Sequence, residues 1–512
     1  MHDAVIIGSG AGGGAVAWRL ASAGLRVLVL ERGPRYAREN YAHDTGLQPA
    51  QFIPSIDTDP HTVVTAKTTS PTRTNLGWIA TCVGGGTVHM GGYFYRFHPD
   101  DFRMRSRFGE FLSLADWPYD YDALEPYYAL AERMIGVSGL AGADPFAGPR
   151  SSPYPMPPLD VHPFARAIDD ACARRGWHSF PTPRAINSQP YDDRPACAYC
   201  TLCASYGCPV GARGTAQETF IAHAERTGRC EVRPLSMVRE ITMADHDRVG
   251  GCVYLDADGV EHFAAARVVC VSASAIESAR LLLLSRSPRF PNGLANDEGQ
   301  VGRNLQFHAV TMGQALFDRF ASHRATFLGR SIADHYFLPD SIADIPKGGM
   351  IRFGLTPQVD GTRHFAPTDD QRVLYFEAFH DFIPNEQTFV TIDEAVTDRW
   401  GLPVAQIHLD VPHHHRRAGR YLADRAFDLY EDLGATEGVT TDIGGTSSYL
   451  VHGTCRMGTD PRTSVLDPFC RAHAVRNLYV ADGSFMPTSG GASTTLTIVA
   501  NALRTAEHIL HS

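Results

Sequence analysis

The first 35 residues constrain the fold of this chain more than any other stretch. Residues 3–33 read "DAVIIGSGAGGGAVAWRLASAGLRVLVLERG". The apolar run at residues 4–7 and the run at 27–30 predict two buried strands, and the apolar spacing over residues 15–23 predicts a helix between them. A strand, a tight turn, a helix and a second strand in that order indicate a parallel α/β sheet.

The turn between the first strand and the helix carries Gly8, Gly10 and Gly13 in the pattern G-x-G-x-x-G. The first glycine permits the tight turn, the second lets the backbone approach a pyrophosphate, and the third lets helix and strand pack closely. Glu31 ends the second strand, where a carboxylate can accept hydrogen bonds from both ribose hydroxyls of an adenosine. The pattern predicts a bound dinucleotide, and the acid favours FAD or NAD over NADP.

Composition narrows the functional class. The chain has 512 residues and a formal net charge of −10, which argues against nucleic-acid binding because such proteins carry a basic face. No run of about 18 apolar residues is present, so we expect no membrane span. The N-terminus has no secretory signal pattern, and eleven cysteines are too few for a disulfide scaffold, so a cytoplasmic location is expected.

Three further stretches narrow the choice of cofactor. Residues 82–96 form a second glycine-rich turn, 267–286 read as a buried strand entering a helix through small residues, and 477–509 read as a strand, a glycine-rich turn and a long helix. With "EGQVGRNLQFH" and "HGTCRMGTDP", they make the chain resemble the glucose–methanol–choline (GMC) family of oxidoreductases. It is most similar to the bacterial branch that contains gluconate dehydrogenase large subunits, pyranose oxidases and glycoside oxidases.

The resemblance implies FAD and an α/β fold of two parts. One is a Rossmann-like FAD-binding domain, and the other is a substrate domain built on an antiparallel β-sheet. The expected FAD-binding domain contains a cover loop, a surface connection that would act as a mobile lid, and a cysteine-rich loop. The expected boundaries are 1–310 for the FAD-binding domain (with 37–75, 139–160 and 197–208 as those segments), 311–444 for the substrate domain, and 445–512 for the return to the FAD-binding domain.

The resemblance also implies which residues contact the cofactor. The ADP half would lie against the first glycine turn, and the flavin would lie near the second turn and the last helix. The positive end of that helix would stabilise the anionic reduced flavin. The implied set is Gly8, Gly10, Gly13, Glu31, Gly85, Gly86, Thr87, His89, Val238, Ser272, Ala273, Asp482, Gly483 and Thr494.

His89 matches the position at which pyranose oxidases carry a histidine bonded covalently to the flavin. Relatives also carry a histidine there without such a bond. A histidine that packs beside the flavin is therefore the favoured interpretation, and a covalent link is the alternative.

The family oxidises a CH–OH group: a histidine takes the hydroxyl proton while a hydride passes to flavin N5. A neutral imidazole suits this role because its pKa lies near the operating pH. The usual base position is Leu450 here, and the usual asparagine partner is Ser493. We predict His452 as the base and Ser493 as a hydrogen-bonding partner, with His89 or a substrate-domain residue as the alternative base.

Four cysteines lie close together in "CAYCTLCASYGCPVGAR". The last gap of this run is one residue longer than in the ferredoxin pattern. Thiolates at such spacing can hold an iron–sulfur cluster or zinc, and some dehydrogenases of this branch are similar in placing a cluster near the flavin. Buried thiols or a disulfide are favoured, and a metal site at Cys197, Cys200, Cys203 and Cys208 is the alternative.

The leading hypothesis is an FAD-dependent oxidoreductase that acts on a CH–OH donor, such as a sugar, a glycoside or a sugar acid. The electron acceptor is left open between O₂, a quinone and a redox protein. The competing hypothesis is a flavin and iron–sulfur electron carrier, or a flavoprotein that has lost catalysis.

Overall fold

The structure is a computed structural model, and it describes residues 1–41, 51–68, 70–200, 203–318, 329–342, 347–355, 365 and 371–512. Part of the expected cover loop therefore lies outside the described residues. The helices are α1 Ala11–Ser22, α2 Met104–Phe108, α3 Tyr121–Ile135, α4 Phe164–Arg174, α5 Ala222–Arg226, α6 Ala275–Leu284, α7 His413–Asp432 and α8 Thr495–His511.

The strands are distributed along the whole chain. They are β1 His2–Ile7, β2 Val27–Leu30, β3 His61–Thr65, β4 Thr72–Thr74, β5 Ser179–Pro181, β6 Cys230–Arg233, β7 Met237–Met243, β8 Val249–Leu255, β9 Glu261–Val271, β10 Arg303–Phe317, β11 Arg330–Ile332, β12 Gly349–Leu355, β13 Arg372–His380, β14 Phe389–Thr397, β15 Pro403–Leu409, β16 Glu437–Thr454 and β17 Leu478–Val480.

The first sheet is the Rossmann-like one that the N-terminal sequence predicted. Its order is β6-β2-β1-β9-β8-β7, with β17 also paired to β9. The β6, β2, β1, β9 and β17 strands pair in parallel, whereas β8 and β7 continue the sheet antiparallel to β9. The last strand described therefore joins the sheet begun by the first, because β1 and β17 both pair with β9.

The second sheet is antiparallel throughout, as expected for a substrate domain. Its order is β16-β10-β13-β12-β11-β5. The long strands β10 and β16 pair from Arg303 opposite Thr454 to Leu316 opposite Glu437, with several register shifts. Since β16 enters from this sheet and leads towards β17, it connects the second sheet to the first. The predicted domain boundaries remain predictions.

One of two segments differs from its sequence-based description. The region 37–75 was expected to be irregular, but 61–65 and 72–74 form β3 and β4, which join β15 and β14 in a third sheet. The connection 139–160 has no helix or strand, as expected, although Ser138 forms a bridge to Met156. The described part of the segment 37–75 is therefore attached to the rest of the protein by strand pairing, because β3 pairs in parallel with β15.

The largest hydrophobic core lies around the first sheet and helices α1, α3, α6 and α8. A second core lies between the antiparallel sheet and helices α4 and α7. Among the described helices, none has the length and the apolar content needed to cross a membrane.

A buried ion pair joins the two main parts of the chain. Lys347, which precedes β12, contacts the carboxylate of Asp101 in the turn Pro99–Arg103, and both side chains are almost fully buried. The Tyr336 hydroxyl donates a 2.6 Å hydrogen bond to the same carboxylate, and the backbone N–H of His98 donates one of 2.9 Å. The Asp101 carboxylate thereby interacts with three partners in the protein interior.

Replacing Lys347 with methionine should destabilise the protein strongly, because it leaves the Asp101 carboxylate buried without a cation. Breaking one partner of such a pair costs about 3–5 kcal/mol. The measurement is the urea-unfolding midpoint of Lys347→Met. Lys67→Met is the matched control, because Lys67 is exposed and should leave the midpoint unchanged. Equal midpoints for the two variants would contradict the assigned role.

Candidate active site

One elongated cavity of about 590 Å³ extends between the first sheet and the antiparallel sheet. At one end it is bounded by the first glycine turn, the end of β2 and the start of α6. At the other end it is bounded by side chains of β10, β12, β13 and β16. Its central wall is formed by the second glycine turn and the segment that leads into α8.

The first glycine turn is shaped by close backbone contacts. Gly8 has φ of +99°, and a Cβ built there would lie 2.2 Å from the carbonyl oxygen of Ser272. A Cβ on Gly13 would lie 2.0 Å from the carbonyl oxygen of Gly8. Gly10 differs from both, because a Cβ there would meet only the Cα of Gly85 at 3.9 Å. Gly8 and Gly13 are therefore required by packing, whereas Gly10 faces open cavity.

Glu31 is held at the end of β2 with its carboxylate in the cavity wall. One oxygen accepts from the N–H of Ser9 (3.1 Å) and the hydroxyl of Ser9 (2.7 Å), and the other accepts from the N–H of Gly33 (2.9 Å). Burial raises the pKa of this carboxyl, and the three hydrogen bonds oppose that shift. The Ser9 hydroxyl also accepts from the N–H of Gly84 at 3.0 Å, which ties the two glycine turns together.

The second glycine turn carries His89 on the cavity wall. His89 is buried, its pKa is lowered to about 4 mainly by burial, and its ring stacks on Phe52 with 5.8 Å between centroids. Its carbonyl accepts from the N–H of Ser205 at 2.8 Å, so the cysteine-rich segment packs directly behind it. Arg213 also donates to the carbonyl of Cys203 at 2.8 Å.

Asp482 joins the C-terminal strand to the start of α6. Its carboxylate accepts from the N–H of Ser274 at 3.0 Å, from the N–H of Ser484 at 2.8 Å and from the hydroxyl of Ser278. Burial raises the pKa of this carboxyl while these donors lower it. The neighbouring Ser274 has φ of +81°, and its buried hydroxyl has no hydrogen-bond partner among the described residues.

His452 lies near the end of β16, opposite Gln306 of β10. Its Nε2 lies 2.8 Å from the hydroxyl oxygen of Thr494, the residue before α8, and its Nδ1 has no partner among the described residues. Burial, followed by the neighbouring His308, holds the pKa of His452 well below its ordinary value. The ring is therefore neutral at physiological pH.

The end of the cavity beyond His452 is lined by the antiparallel sheet. Arg352 of β12 and Glu377 of β13 form an ion pair there at 2.7 Å, and the Arg352 guanidinium lies 3.4 Å from the centre of the Tyr93 ring. Tyr375, Phe379, Asp442, Thr446, Ser447 and Leu450 complete this end. This end of the cavity offers hydrogen-bond donors and acceptors beside aromatic rings.

The structure brings nearly all the predicted site residues to this one cavity. Gly13 is the exception, since it packs against Gly8 beneath the turn. Ser9, Gly12, Arg352 and Glu377 also line the cavity and were not predicted. His308 does not line it, but its ring contacts that of His452, and it was not predicted either. The "EGQVGRNLQFH" motif ends on His308 and was the available signal for it. The predicted residues that line the cavity are Gly8, Gly10, Glu31, Gly85, Gly86, Thr87, His89, Val238, Ser272, Ala273, His452, Asp482, Gly483, Ser493 and Thr494.

The role predicted for Ser493, as a hydrogen-bonding partner of the substrate hydroxyl, remains a prediction. Ser493 lines the cavity, but the hydroxyl that contacts the ring is that of Thr494. Leu450, at the usual base position, also lines the cavity. Because β16 bulges between its pairings at Thr446 and Val451, the position of His452 relative to the cavity could not be derived from strand alternation.

The four clustered cysteines do not form a ready metal site. Within the described ranges, no group of three or more His, Cys, Asp or Glu side chains is arranged to hold a metal ion. Burial raises the pKa of the Cys197 thiol to about 11 and also raises that of Cys203. Both are therefore thiols rather than thiolates at neutral pH.

Comparison with known families and proteins identifies the class. The GMC oxidoreductase family matches in two segments, residues 63–310 and 384–502, and an FAD-dependent oxidoreductase family matches over residues 3–112. The chain belongs to the GMC oxidoreductase family. It is an FAD-dependent oxidoreductase.

Curated relatives match over almost their full length. Paromamine 6'-oxidase of Streptomyces fradiae is 34% identical, over 99% of this chain and 91% of the relative. Fructose dehydrogenase large subunit of Gluconobacter japonicus is 30% identical over 99% and 98%. 2-Methyl-1,2-propanediol dehydrogenase of Mycolicibacterium austroafricanum is 30% identical over 99% and 95%.

Solved structures share the fold. A formate oxidase of Aspergillus oryzae aligns over all of this chain and 98% of its own, with TM-score 0.70 and 16% identity. Pyridoxine 4-oxidase from Mesorbium loti aligns over the whole of both chains, with TM-score 0.68 and 19% identity. At these identities the likeness supports the fold only.

The residues present fit an FAD. The open space at Gly10, at the N-terminal end of α1, borders the cavity and suits a pyrophosphate, and Ser274, whose hydroxyl has no partner among the described residues, also lines the cavity. The carboxylate of Glu31 lies in the cavity wall, where it could accept hydrogen bonds from the hydroxyl groups of an adenosine ribose. The cavity then continues past His89 to His452, so the chain offers an elongated site rather than an isolated pocket.

Alanine substitutions at Gly10 and Gly13 should separate cofactor binding from folding. Gly10→Ala adds a methyl group only to the cavity, so we expect the apoprotein to keep its thermal midpoint and to lose FAD affinity at least tenfold. Gly13→Ala places a methyl group against the Gly8 carbonyl, so the midpoint itself should fall. Thermal unfolding with and without added FAD measures both effects. A Gly10→Ala protein that binds FAD normally would contradict the assignment of this turn.

Proposed function

We propose that this protein oxidises a CH–OH group of a sugar, glycoside or sugar acid, with His452 as the base that takes the hydroxyl proton. The observation that carries the proposal is the single cavity that runs from the dinucleotide turns to His452 and the polar face of the antiparallel sheet. An FAD held by these residues would supply the hydride acceptor, so that the alcohol, on losing one proton and one hydride, would become a carbonyl. The proton would go to Nε2 of His452, where the substrate hydroxyl would replace the Thr494 hydroxyl as the hydrogen-bonding partner.

The state of His452 supports this role. A base must be unprotonated before the reaction, and the lowered pKa of His452 keeps its ring neutral. His89, the alternative base, is also neutral, but it lies on the second glycine turn and stacks on Phe52. His452 is therefore favoured, with Thr494 and Ser493 as hydroxyl groups that position the substrate oxygen.

The substrate class is supported by the sheet end of the cavity. Arg352, Glu377 and Asp442 are charged, and Thr446 and Ser447 bear hydroxyls, so a molecule with several hydroxyl groups would find both donors and acceptors. Curated relatives are named for paromamine, fructose and a propanediol, all with hydroxyl groups. A polyhydroxylated substrate is favoured over a long apolar alcohol.

The electron acceptor is proposed to be O₂, a quinone or a redox protein. Oxygen uptake with peroxide release during sugar turnover identifies the first, and reduction of a quinone without oxygen uptake identifies the second. Iron analysis of the purified protein tests the alternative of a cluster at the cysteine-rich segment. Acid denaturation tests the His89 link, since flavin that remains with the polypeptide is covalent.

Replacement of His452 with alanine should lower the rate constant of flavin reduction by about 10²-fold or more, as loss of a general base does. Anaerobic stopped-flow mixing with a sugar substrate measures it. His262→Asn is the control, because His262 is an exposed residue of β9 paired with Asp256 and should not change the rate. A fully active His452→Ala protein would exclude His452 as the base.

The pH dependence of flavin reduction follows from the direction of the His452 shift. Because burial lowers the pKa of this ring, the base stays unprotonated below its ordinary pKa of 6.5. We expect the rate constant to remain constant from pH 8 down to 6.5 and to decline only in more acidic solution. A half-maximal rate above pH 6.5 would mean that a different group is titrating.

A further inference from the structure

One row of side chains crosses the antiparallel sheet at the end of the cavity that lies away from the dinucleotide turns. Met312 of β10 lies opposite Asp442 of β16 on one side and opposite Glu377 of β13 on the other. Glu377 in turn lies opposite Arg352 of β12. All four residues line the cavity, so the register of four neighbouring strands places two carboxylates and one guanidinium on one wall. We call Asp442, Glu377 and Arg352 the charged row.

The guanidinium of Arg352 is already paired within the charged row. Its Nε donates a 2.7 Å hydrogen bond to Oε2 of Glu377, and its Nη2 lies 2.5 Å from the same oxygen. Its Cζ lies 3.4 Å from the centre of the Tyr93 ring and 4.3 Å from that of the Phe379 ring. Arg352 is therefore held in place by one anion and two aromatic rings, and its charge is balanced by Glu377.

Glu377 keeps one oxygen for the cavity. Both contacts with Arg352 go to Oε2, and no hydrogen bond to Oε1 is found within the part of the chain that the structure describes. The side chain of Glu377 is 21% exposed, against 9% for that of Arg352. A carboxylate has two acceptor oxygens, so Oε1 of Glu377 is available to a donor in the cavity.

Asp442 has no cation of its own. Its carboxylate accepts hydrogen bonds from the backbone N–H groups of Ile443 and Gly445, and it forms no ion pair with any described residue. The charge of Arg416 on α7 acts on Asp442, but Arg416 is exposed and does not line the cavity. Burial raises the pKa of the Asp442 carboxyl, as expected for an anion whose charge is poorly compensated.

The charged row therefore has a net negative charge. Arg352 is the one cation among the described residues that line this end, since Arg32, Arg239 and Arg280 lie in segments at the dinucleotide end. A carboxylate on the substrate would add a third anion, and a hydroxyl would leave the imbalance unchanged. A cation would remove it, and the attraction is stronger in a partly enclosed cavity than in bulk water.

We propose that the substrate carries a protonated amine, which Asp442 and Oε1 of Glu377 bind at the charged row. An ammonium group has three N–H donors and no acceptor, so it matches oxygens that can only accept. This inference rests on the proposed function and narrows it: the alcohol is a sugar or glycoside that bears an amino group, rather than a sugar acid.

The position of the charged row indicates where the amine lies relative to the oxidised carbon. Gln306 lies opposite His452, and Met312 lies further along the same strand. The strand between them spans at most about 20 Å, at about 3.3 Å per residue. The charge of Arg352 still acts on His308, whose ring centroid lies 5.1 Å from that of His452. We therefore expect the amine on a part of the substrate away from the oxidised carbon, and not on the adjacent carbon.

Three disaccharides that differ only in the substituent at C2 test the proposal. They are cellobiose, which has hydroxyls there, fully deacetylated chitobiose, which has amines, and N,N′-diacetylchitobiose, which has neutral amides. Anaerobic calorimetric titration of the FAD-loaded protein, with the flavin reduced beforehand to prevent turnover, gives each Kd at mildly acidic pH, where the amines are protonated. Galactosamine, galactose and N-acetylgalactosamine repeat the comparison for a second sugar configuration.

We expect the amino sugar of each set to bind at least about tenfold more tightly than its neutral counterparts, which is within the range of a hydrogen bond to a charged group. Added KCl should weaken the binding of the amino sugars and leave that of the neutral sugars unchanged, because salt screens the attraction between charges. Cellobionate, which carries a carboxylate, should bind more weakly than cellobiose.

Two variants assign this preference to the charged row. Asp442→Asn removes the charge and keeps an oxygen that can accept from the backbone, so the preference for amino sugars should be largely lost. Glu377→Gln leaves Arg352 without its anion, so the preference should shift towards cellobionate. Glu437→Gln is the matched control, because Glu437 is an exposed residue at the start of β16 that does not line the cavity. It should keep the preference of the unaltered protein.

Equal binding of amino and neutral sugars by the unaltered protein, or no measurable binding of any amino sugar, would overturn the proposal. So would tighter binding of cellobionate, or a preference that is unchanged in both Asp442→Asn and Glu377→Gln. Failure of the proposed function gives a different result. If amino sugars bind preferentially but no sugar reduces the flavin, the proposed function fails and the amine site stands. If neutral or acidic sugars alone reduce the flavin, the proposed function stands and the amine site fails.

Discussion

The backbone contacts that bring three chain segments together around the first glycine turn support the rest of the structure. A Cβ on Gly8 would strike the carbonyl of Ser272, and one on Gly12 would lie 1.8 Å from the carbonyl of Ala481. Asp482 links the same segments through Ser274. The dinucleotide end of the cavity thus exists only because residues far apart in the chain approach at backbone distance.

The strand β16 connects this junction to the antiparallel sheet. Its far end pairs with β10 in the antiparallel sheet, and its near end carries His452 to the cavity. The dinucleotide end of the cavity is shaped by close backbone contacts, whereas its other end is lined by side chains of the antiparallel sheet.

The sequence predicted the parts of this account that depend on local pattern. The glycine turn, β2 and Glu31 follow from apolar runs and spacing, and the structure has β2 at the predicted residues. The strands in 37–75 were missed because β3 is stabilised by β15, more than 300 residues away. The contact between His308 and His452 depends on bulges in β10 and β16, and the Arg352–Glu377 pair depends on the register of β12 and β13, neither of which single-sequence periodicity fixes.

The central claim is that FAD and His452 share one cavity, in which a CH–OH group of a sugar, glycoside or sugar acid is oxidised. Anaerobic mixing of the purified, FAD-loaded protein with a panel of sugars, glycosides and sugar acids tests it most directly. The account predicts that at least one of these compounds bleaches the flavin and yields one carbonyl product per flavin reduced. A protein that takes up no FAD, or whose flavin stays oxidised with every compound, would contradict it.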